Sequence, residues 1–313
     1  MSGVEILGSG LMTGVGLDGP STCAAVRCGI AGFEETRFMF DGEWLLGCEV
    51  PLEEPWRGRE KLVRMATAAV GECIGALEGS GPEDVPLLLC LAEEERPGRP
   101  RGLDESLVRD VQERLGVEFH PWSRIFANGR IGGVQALDYT RRLLESGRPR
   151  VVVAGVDSYL VGSTLEKYYR EYRILTEDNS DGFIPGEAAG AVLVGPAGSG
   201  GVVRCVGVGY GAEPAPLGSG EPLRADGMVQ AMRAALDDAG WTLGRADYRL
   251  ADLSGEQYGF KEAALALTRI LRERKEEMDI WHPADCVGET GAAVVPILLS
   301  GASAASRRKA ARW

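Results

Sequence analysis

The sequence predicts an α/β fold built around a largely buried sheet. Short apolar runs typical of strands alternate with longer segments of helical period, in the order VEILGSG, STCAAVRCGI, EKLVRMATAAVGECIGAL and VPLLLCLAEE. Such alternation favours a sheet that helices cover on both faces, in which the central strands are apolar throughout. The run Val151-Val152-Val153-Ala154 has this character. Residues 132–146, which precede it, have apolar side chains at helical spacing and are followed by Gly147, a typical helix stop signal.

The composition is that of a globular chain and argues against several classes of function. Of the 313 residues, 44% are hydrophobic and 26% are charged, which is enough apolar surface for a large core. The 46 acidic residues outnumber the 34 basic ones, and the resulting formal charge of −12 opposes binding to nucleic acid. We expect no membrane span and no signal peptide, because the apolar segments are short and the N-terminus carries Glu5 without a basic region. A cytoplasmic location is therefore predicted.

The seven cysteines and two histidines do not form a metal-binding or disulfide pattern. Most of the cysteines lie among Ala, Val and Leu, as in PLLLC and VVRCVGV, and we expect them to be reduced and buried. The sequence contains no CxxC pair, and His120 and His282 are its only histidines. Neither a metal nor any other cofactor is predicted.

Four glycines near the N-terminus, Gly8, Gly10, Gly14 and Gly16, follow a predicted strand. Their spacing is GxGxxxG rather than the GxGxxG of dinucleotide-binding proteins, and no acidic partner follows at the right distance. We therefore interpret them as glycines of a strand and a tight loop.

The chain divides near residue 200. The glycine-rich residues 195–201 indicate a flexible connection. After it, a strand at 202–210, a helix at 228–239, the strand DYRLADLSG, the helix YGFKEAALALTRILRER and an apolar helix at 292–304 repeat the order of the first part. We predict two halves of similar topology, residues 1–195 and 202–313, that pack as one compact unit.

Five segments, spread over most of the chain, carry a family resemblance. They are VEILGSGLMTGVGLDGPSTCAAVRCGIAGF, GGVQALDYTRRLLESGRPRVVVAGVDSY, DNSDGFIPGEAAGAVLV, YRLADLSGEQYGFKEAALALTRIL and CVGETGAAVVPILLSGA. In this order they resemble the β-ketoacyl-acyl-carrier-protein synthases of the thiolase-like superfamily, and DGFIPGEAAGAVLV is the most specific of them. The resemblance implies a five-layer αβαβα fold of two duplicated halves. It also implies a homodimer or heterodimer whose sheets join across the strand Val151-Val152-Val153-Ala154.

The same resemblance implies a reaction for which this chain lacks the side chains. Family members transfer an acyl group to a cysteine thiolate at a helix N-terminus and then carry out a decarboxylative condensation assisted by two histidines. At the nucleophile position this chain has Arg130, and at the histidine positions it has Ser254, in SGE, and Glu289, in GETG. Arginine stays protonated and offers only hydrogen-bond donors, so it cannot attack a thioester. Loss of condensing activity is therefore predicted.

Arg130 and Glu289 carry opposite charges at positions that face each other in the family, so we predict that they form a buried ion pair. The alternative is that each side chain points to solvent. Cys286, in the same loop as Glu289, is the candidate for a relocated nucleophile, although a small buried thiol is the simpler expectation. The residues of the most specific motif are expected to be scaffold: Asp181, Gly186, Glu187 and Gly190.

These features predict a bacterial ketosynthase-like protein without condensing activity that acts as a partner, adaptor or scaffold. It would be a companion of an acyl carrier protein or synthase, or an accessory protein of a secretion system. Family members add a closing pair of strands after the last helix. Because this chain ends at Trp313, its C-terminal half is expected to be shortened, which favours the adaptor role. The alternative function is an acyltransferase or acyl-thioester binder that uses Cys286.

Overall fold

A six-stranded mixed sheet forms the centre of the structure, in agreement with the α/β prediction. The computed structural model describes residues 3–77, 79 and 81–307, without the side chain of Arg307. The strands are β1 (Val4–Thr13), β2 (Glu34–Phe40), β3 (Glu43–Gly47), β4 (Leu87–Cys90), β5 (Arg124–Phe126), β6 (Val151–Ser158), β7 (Glu187–Pro196), β8 (Val203–Cys205), β9 (Tyr248–Leu250) and β10 (Asp279–Trp281). The helices are α1 (Gly19–Arg27), α2 (Gly58–Ile74), α3 (Glu105–Leu115), α4 (Gly132–Glu145), α5 (Gly162–Arg170), α6 (Asp226–Ala239), α7 (Gln257–Ile270), α8 (Ala284–Val287) and α9 (Val294–Arg307).

The central sheet has the strand order β5-β4-β6-β7-β1-β8. Strand β4 is parallel to β5 and β6, whereas β7 is antiparallel to β6 and β1. All of β4 is buried, as is nearly all of β6 and β7, because helices cover both faces of the sheet. The remaining strands form a β2–β3 hairpin and a parallel β9–β10 pair.

The strand that was predicted to join a partner chain does not lie at an edge of the sheet. Residues Val151-Val152-Val153-Ala154 open β6, which is hydrogen-bonded to β4 on one side and to β7 on the other. Both of its edges are occupied, so β6 has no free backbone groups with which to continue the sheet into another chain. The edges of the sheet are β5 and β8.

Alternating side chains of the sheet contact two different helical layers. Val152, Ala154 and Val156 of β6 pack in one core with α2 and α3. Val151 and Val153 pack in the opposite core with α4 and the inner face of α9. The strand therefore buries both of its faces, which explains why it is apolar without alternation.

Two of the N-terminal glycines allow α2 to lie directly against β1. A Cβ atom at Gly8 would lie 2.6 Å from Ala76 Cβ, and one at Gly10 would lie 2.1 Å from the carbonyl oxygen of Ala69. Any larger residue would force the helix away from the strand. Gly8 and Gly10 thus lie in a strand, as the sequence indicated, and the structure adds a packing role for both.

The glycine-rich connection, predicted to be flexible, is held by a buried carboxylate. Glu5 accepts hydrogen bonds from the backbone N–H groups of Gly198, Gly200 and Gly201, at 2.9–3.0 Å. These N–H groups lower the pKa of Glu5. The loop then leads into β8, which pairs with β1 of the central sheet rather than opening a second one.

The second part of the chain is less completely buried than the first. Strand β8 is shorter than the predicted 202–210, and every residue of β9 is only partly buried. The predicted helices at 132–146, 228–239 and 292–304 correspond to α4, α6 and α9, the last preceded by a 3-10 turn. The division into halves of residues 1–195 and 202–313 stays a prediction.

Over the residues that the structure describes, no helix combines the length and the apolar run needed to cross a bilayer.

Candidate functional site

The turn before α4 holds Arg130 at the position where the resemblance implies a nucleophile. Strand β5 ends at Phe126, and a 3-10 turn over Gly129–Ile131 leads directly into the helix. Gly129 has a positive φ of 54°, and a Cβ atom there would lie 2.5 Å from Glu93 Oε2. This tight turn places a guanidinium, and no thiol, at the start of α4.

Arg130 contacts two carboxylates, one predicted and one not. Its Nη1 lies 3.5 Å from Glu289 Oε2, so the structure brings the two predicted residues together. Asp252 is the closer partner: its Oδ2 accepts a hydrogen bond from Arg130 Nε at 3.0 Å, and its carbonyl oxygen accepts one from Nη2 at 2.6 Å. The side chain of Glu289 is 5% exposed and that of Arg130 is 36% exposed, so the pair is buried on the glutamate side only. Glu289, more than Asp252, raises the pKa of Arg130.

The loop that carries Glu289 is fixed by backbone hydrogen bonds. Glu289 N donates to the carbonyl oxygen of Ile184, and Gly186 N donates to that of Glu289. The carboxylate Oε1 also accepts a hydrogen bond from Gly291 N at 2.9 Å. Both flanking glycines, Gly288 and Gly291, have positive φ values of 69° and 53°. The GETG sequence therefore sets the direction of this carboxylate.

Ser254, where the resemblance implies the other histidine, lies in the loop between β9 and α7. Its neighbour Glu256 has the stronger contact: Arg173 donates to both Glu256 oxygens, at 2.7 and 2.8 Å. Sequence reasoning missed Arg173 and Asp252. The position of Asp252 near the end of the predicted strand DYRLADLSG was an available signal, whereas nothing in the sequence around Arg173 indicated its partner.

A cleft of about 300 Å³ opens at this site, and its lining includes Arg130, Asp252, Ser254, Glu256 and Glu262. Burial is the main cause that raises the pKa of Glu262, and the nearby carboxylates add to it while Arg130 opposes it. The cleft thus contains paired charges and an excess of carboxylates. It can bind polar groups, but its charged side chains provide no activated nucleophile.

A second ion pair lies beneath this site. Arg96 Nη1 donates to Asp157 Oδ1 at 2.6 Å, and each side chain is 2% exposed. The other Asp157 oxygen accepts a hydrogen bond from Ala292 N at 2.9 Å, next to the loop that carries Glu289. The guanidinium also lies 4.2 Å from the centre of the Tyr159 ring. The sequence did not reveal this pair, because Arg96 belongs to the charged run EEERPGRPR, which is typical of a solvated loop.

The specific motif DGFIPGEAAGAVLV surrounds the site with structural contacts. Asp181 Oδ1 accepts a hydrogen bond from Gln257 N at the start of α7. A Cβ atom at Gly186 would lie 2.2 Å from the carbonyl oxygen of Val287, and one at Gly190 would lie 2.9 Å from Pro296 Cβ. These glycines allow the last loop and α9 to approach β7 closely.

Glu187, in the same motif, is buried, and both of its carboxylate oxygens have partners. It forms an ion pair with Lys61, and its two oxygens accept hydrogen bonds from Val50 N at 2.9 Å and Ser158 Oγ at 2.7 Å. The structure therefore places all four motif residues in framework contacts.

Cys286 lies in an apolar cluster with Cys48 and Val287. It is 4% exposed, and burial raises the pKa of its thiol, with a smaller effect of Asp285. Cys286 and His282 both line a surface cleft of about 290 Å³. The nearest charged partner of His282 is Asp285, whose Oδ1 lies 3.0 Å from His282 Nδ1. No hydrogen bond joins His282 to Cys286 within the described part of the chain. The surroundings of Cys286 disfavour the thiolate that a nucleophile requires.

Sequence comparison finds polyketide synthase relatives over part of the chain. No family model matches. A "putative beta-ketoacyl synthase 2" of the actinorhodin polyketide in Streptomyces coelicolor is 34% identical over 143 residues, which are 40% of this chain and 34% of that protein. A "putative polyketide beta-ketoacyl synthase 2" of Streptomyces cyaneus is 27% identical over 191 residues, 55% of this chain and 45% of that protein. The chain thus spans less than half the length of these curated relatives.

Structural comparison covers almost the whole chain. A type II polyketide synthase ketosynthase, solved in complex with its acyl-carrier protein and bound to the hexaketide, matches with a TM-score of 0.78 at 15% identity, over 97% of this chain and 86% of that one. The ishigamide ketosynthase/chain length factor matches with a TM-score of 0.73 at 19% identity, over 97% and 85%. A β-ketoacyl synthase from Burkholderia phymatum gives 0.76 at 18% identity, over 98% and 87%. The fold is therefore that of the thiolase-like ketosynthases.

Proposed function

We propose that this chain is a ketosynthase-like protein that has lost condensing activity and acts through binding to a protein partner. The observation that carries the proposal is the guanidinium of Arg130 at the start of α4, held by Asp252 and Glu289. A condensing enzyme needs a thiolate there, and a permanently protonated guanidinium cannot form an acyl intermediate.

The two residues that would polarise an extender unit are also replaced. Glu289 carries a carboxylate, which repels a developing enolate instead of stabilising it. Ser254 offers a hydroxyl, but the strong donor nearby, Arg173, is engaged by Glu256. The ion pairs of Arg130 and Arg173 hold these side chains in place. The site then keeps the ketosynthase fold but lacks the groups that carry out condensation.

For the partner, we propose an acyl carrier protein or a ketosynthase of a polyketide system, rather than a secretion component. The relatives found by sequence bear the names of polyketide β-ketoacyl synthases, and one structural neighbour is a ketosynthase in complex with its acyl-carrier protein. Another neighbour is named as a ketosynthase/chain length factor. These names favour a companion role over an adaptor in secretion.

If the chain forms a homodimer or heterodimer through its sheet, we propose β5 as the contact strand. Among the described residues β5 is paired only with β4, so its second edge can accept another strand. It also leads directly into the turn that carries Arg130. A partner strand on this edge would therefore lie next to the altered site. An Ile125→Pro variant removes a backbone donor in β5 and should abolish a dimer detected by light scattering.

The catalytic claim is tested by intact-protein mass spectrometry after incubation with acyl-coenzyme A and with acyl-acyl-carrier-protein thioesters. We expect no acyl adduct on the folded protein, while an active ketosynthase treated in parallel is labelled. The matched variant is Arg130→Cys, which restores a thiol at the helix start and shows whether the cleft still admits an acyl chain. An adduct on the unmodified chain would overturn the proposal.

The partner claim is tested by surface plasmon resonance with an immobilised type II polyketide acyl carrier protein and, separately, with a ketosynthase. Saturable binding to either one supports the companion role. If neither protein binds, while a pair of proteins known to interact gives a signal in the same assay, the companion role is contradicted.

The second candidate is an acyltransferase that uses Cys286. It is favoured by the cleft that Cys286 shares with His282 and opposed by the raised pKa of the buried thiol. An adduct that disappears in Cys286→Ala but persists in Cys28→Ala, which removes an exposed thiol, would establish it.

A further inference from the structure

A second cleft, of about 520 Å³, lies on the open edge of β1 and shares no residue with the Arg130 cleft. It is enclosed by α1, α2 and the C-terminal part of α9. A volume of this size corresponds to roughly 17 water molecules at about 30 Å³ each. It falls within the usual range of small-molecule sites.

The edge of β1 faces this cleft because β8 covers only its first residues. Strand β8 pairs with Val4–Ile6, and the rest of β1 is paired with β7 alone. Leu11 N, on the open side, donates a hydrogen bond to Glu72 Oε2 at 3.0 Å. By the alternation of an antiparallel strand, the backbone groups of Ser9 face the same side. The cleft therefore has polar backbone groups along one wall.

A hydroxyl that opens onto the cleft is free to bind a ligand. Ser303 of α9 lines the cleft and is 3% exposed, and its Oγ makes no hydrogen bond to any residue that the structure describes. The neighbouring hydroxyl of Ser300, by contrast, donates to the carbonyl oxygen of Pro296 at 2.7 Å. Because this hydroxyl opens onto the cleft, it can donate a hydrogen bond to a ligand or to solvent there.

The cleft also contains two opposite charges that do not meet. Arg27 of α1 lines it and forms no ion pair or hydrogen bond with the described residues. Glu72 of α2 lines it as well, and its carboxylate accepts hydrogen bonds from Gly19 N at 2.9 and 3.0 Å and from Leu11 N. Both charges act on the Cys23 thiol: its pKa is raised to about 11, mainly by burial and to a smaller extent by Glu72, while Arg27 opposes the increase. The guanidinium and the carboxylate thus flank the same part of the cleft.

We propose that this cleft binds a free α-amino acid. The carboxylate of the ligand would pair with Arg27 and accept the unused hydrogen bond of Ser303, while its ammonium group would be held by Glu72. A simple anion would be repelled by Glu72, and a simple cation by Arg27, so a ligand with both charges fits best. Small residues of the walls, such as Gly75 and Ala304, leave room for an aliphatic side chain.

The test is isothermal titration calorimetry with L-alanine and L-leucine, and with propionate and n-butylamine as single-charge probes. We expect saturable binding of an amino acid and at least about tenfold weaker binding of either single-charge probe. Arg27→Gln and Ser303→Ala should each weaken the binding by about tenfold. Arg142→Gln, which removes an exposed arginine on α4, should leave it unchanged. Absence of binding, equal binding of the single-charge probes or full binding by both cleft variants would overturn the proposal.

A second measurement uses the unmodified protein and does not depend on whether the variants fold. L-leucine should slow amide hydrogen exchange in the peptide of β1 that contains Ser9, while exchange in β10 stays the same. Unchanged exchange in β1 at saturating L-leucine would equally overturn the proposal.

Discussion

Arg130 Nη1 lies 3.5 Å from Glu289 Oε2, across the site where the resemblance implies a nucleophile and a histidine. The two side chains come from distant parts of the sequence, at the start of α4 and in the GETG loop. The resemblance implies a nucleophile at the first position and a histidine at the second, and this chain has a cation at the first and an anion at the second. Asp252 completes the arrangement from a third loop, so the charge of Arg130 is balanced on two sides.

Removal of the Glu289 carboxylate should destabilise the protein moderately. Loss of one partner of a fully buried pair costs about 3–5 kcal/mol, but Arg130 is partly exposed and keeps Asp252, so we expect about 1–3 kcal/mol for Glu289→Ala. Glu289→Gln should cost less, because its amide oxygen can still accept from Gly291 N. Urea unfolding measures both. Equal stability of Glu289→Ala and the parent chain would show that the ion pair contributes nothing.

The Arg96–Asp157 pair should matter more than the Arg130–Glu289 pair. Both side chains are buried, and Asp157 also accepts a hydrogen bond from Ala292 N. Asp157→Ala leaves the buried guanidinium with Glu93, a partly exposed carboxylate, as its remaining charged partner and leaves Ala292 N without its acceptor. We therefore expect a loss of about 3 kcal/mol, at the low end for a broken buried pair. The control is Asp138→Ala, which removes an i,i+4 pair with the exposed Arg142 and should cost about 0.5 kcal/mol or less. A smaller loss for Asp157→Ala than for Glu289→Ala would contradict this order.

Stability should fall at acid pH partly through Asp238. The hydrogen bonds from Arg141 and from Val208 N lower the pKa of Asp238 below its ordinary 3.8. Because the folded pKa is lower than the unfolded one, this contribution is fully present above pH 3.8 and is lost as the pH falls through the folded pKa. Asp238→Asn should therefore make the acid limb of stability against pH less steep. Urea midpoints measured between pH 2 and 6, in steps of about half a unit, would show this, and parallel curves for the two proteins would disprove it.

The central sheet could be predicted from the sequence because its strands are apolar on both faces and its helices are periodic. The apolar run of β6 also predicted its central place, which the structure confirms. What failed was the dimer contact that the resemblance placed on this strand, because a strand paired on both edges cannot extend the sheet. For the site, the family resemblance predicted that Arg130 and Glu289 would lie close together, and they do. Asp252 and Arg173 were missed because their contacts join distant loops, and no local pattern encodes such a contact.

The last prediction concerns the uneven burial of the sheets. Strands β6 and β7 are almost fully buried and are paired on both edges, whereas β9 and β10 form a two-stranded pair of partly exposed residues. Backbone hydrogen bonds of such a pair open without disturbing the large core, so their free energy of opening should lie well below that of global unfolding.

Native-state hydrogen exchange should therefore show fast exchange in β9 and β10 and slow exchange in β6 and β7. Mild urea should accelerate exchange in β6 and β7 more strongly, because their amides exchange only when the large core is exposed. A stabilising core variant gives the control, since it should slow β6 and leave β9 unchanged. Equal protection of all four strands would mean that the β9–β10 pair unfolds only together with the central sheet.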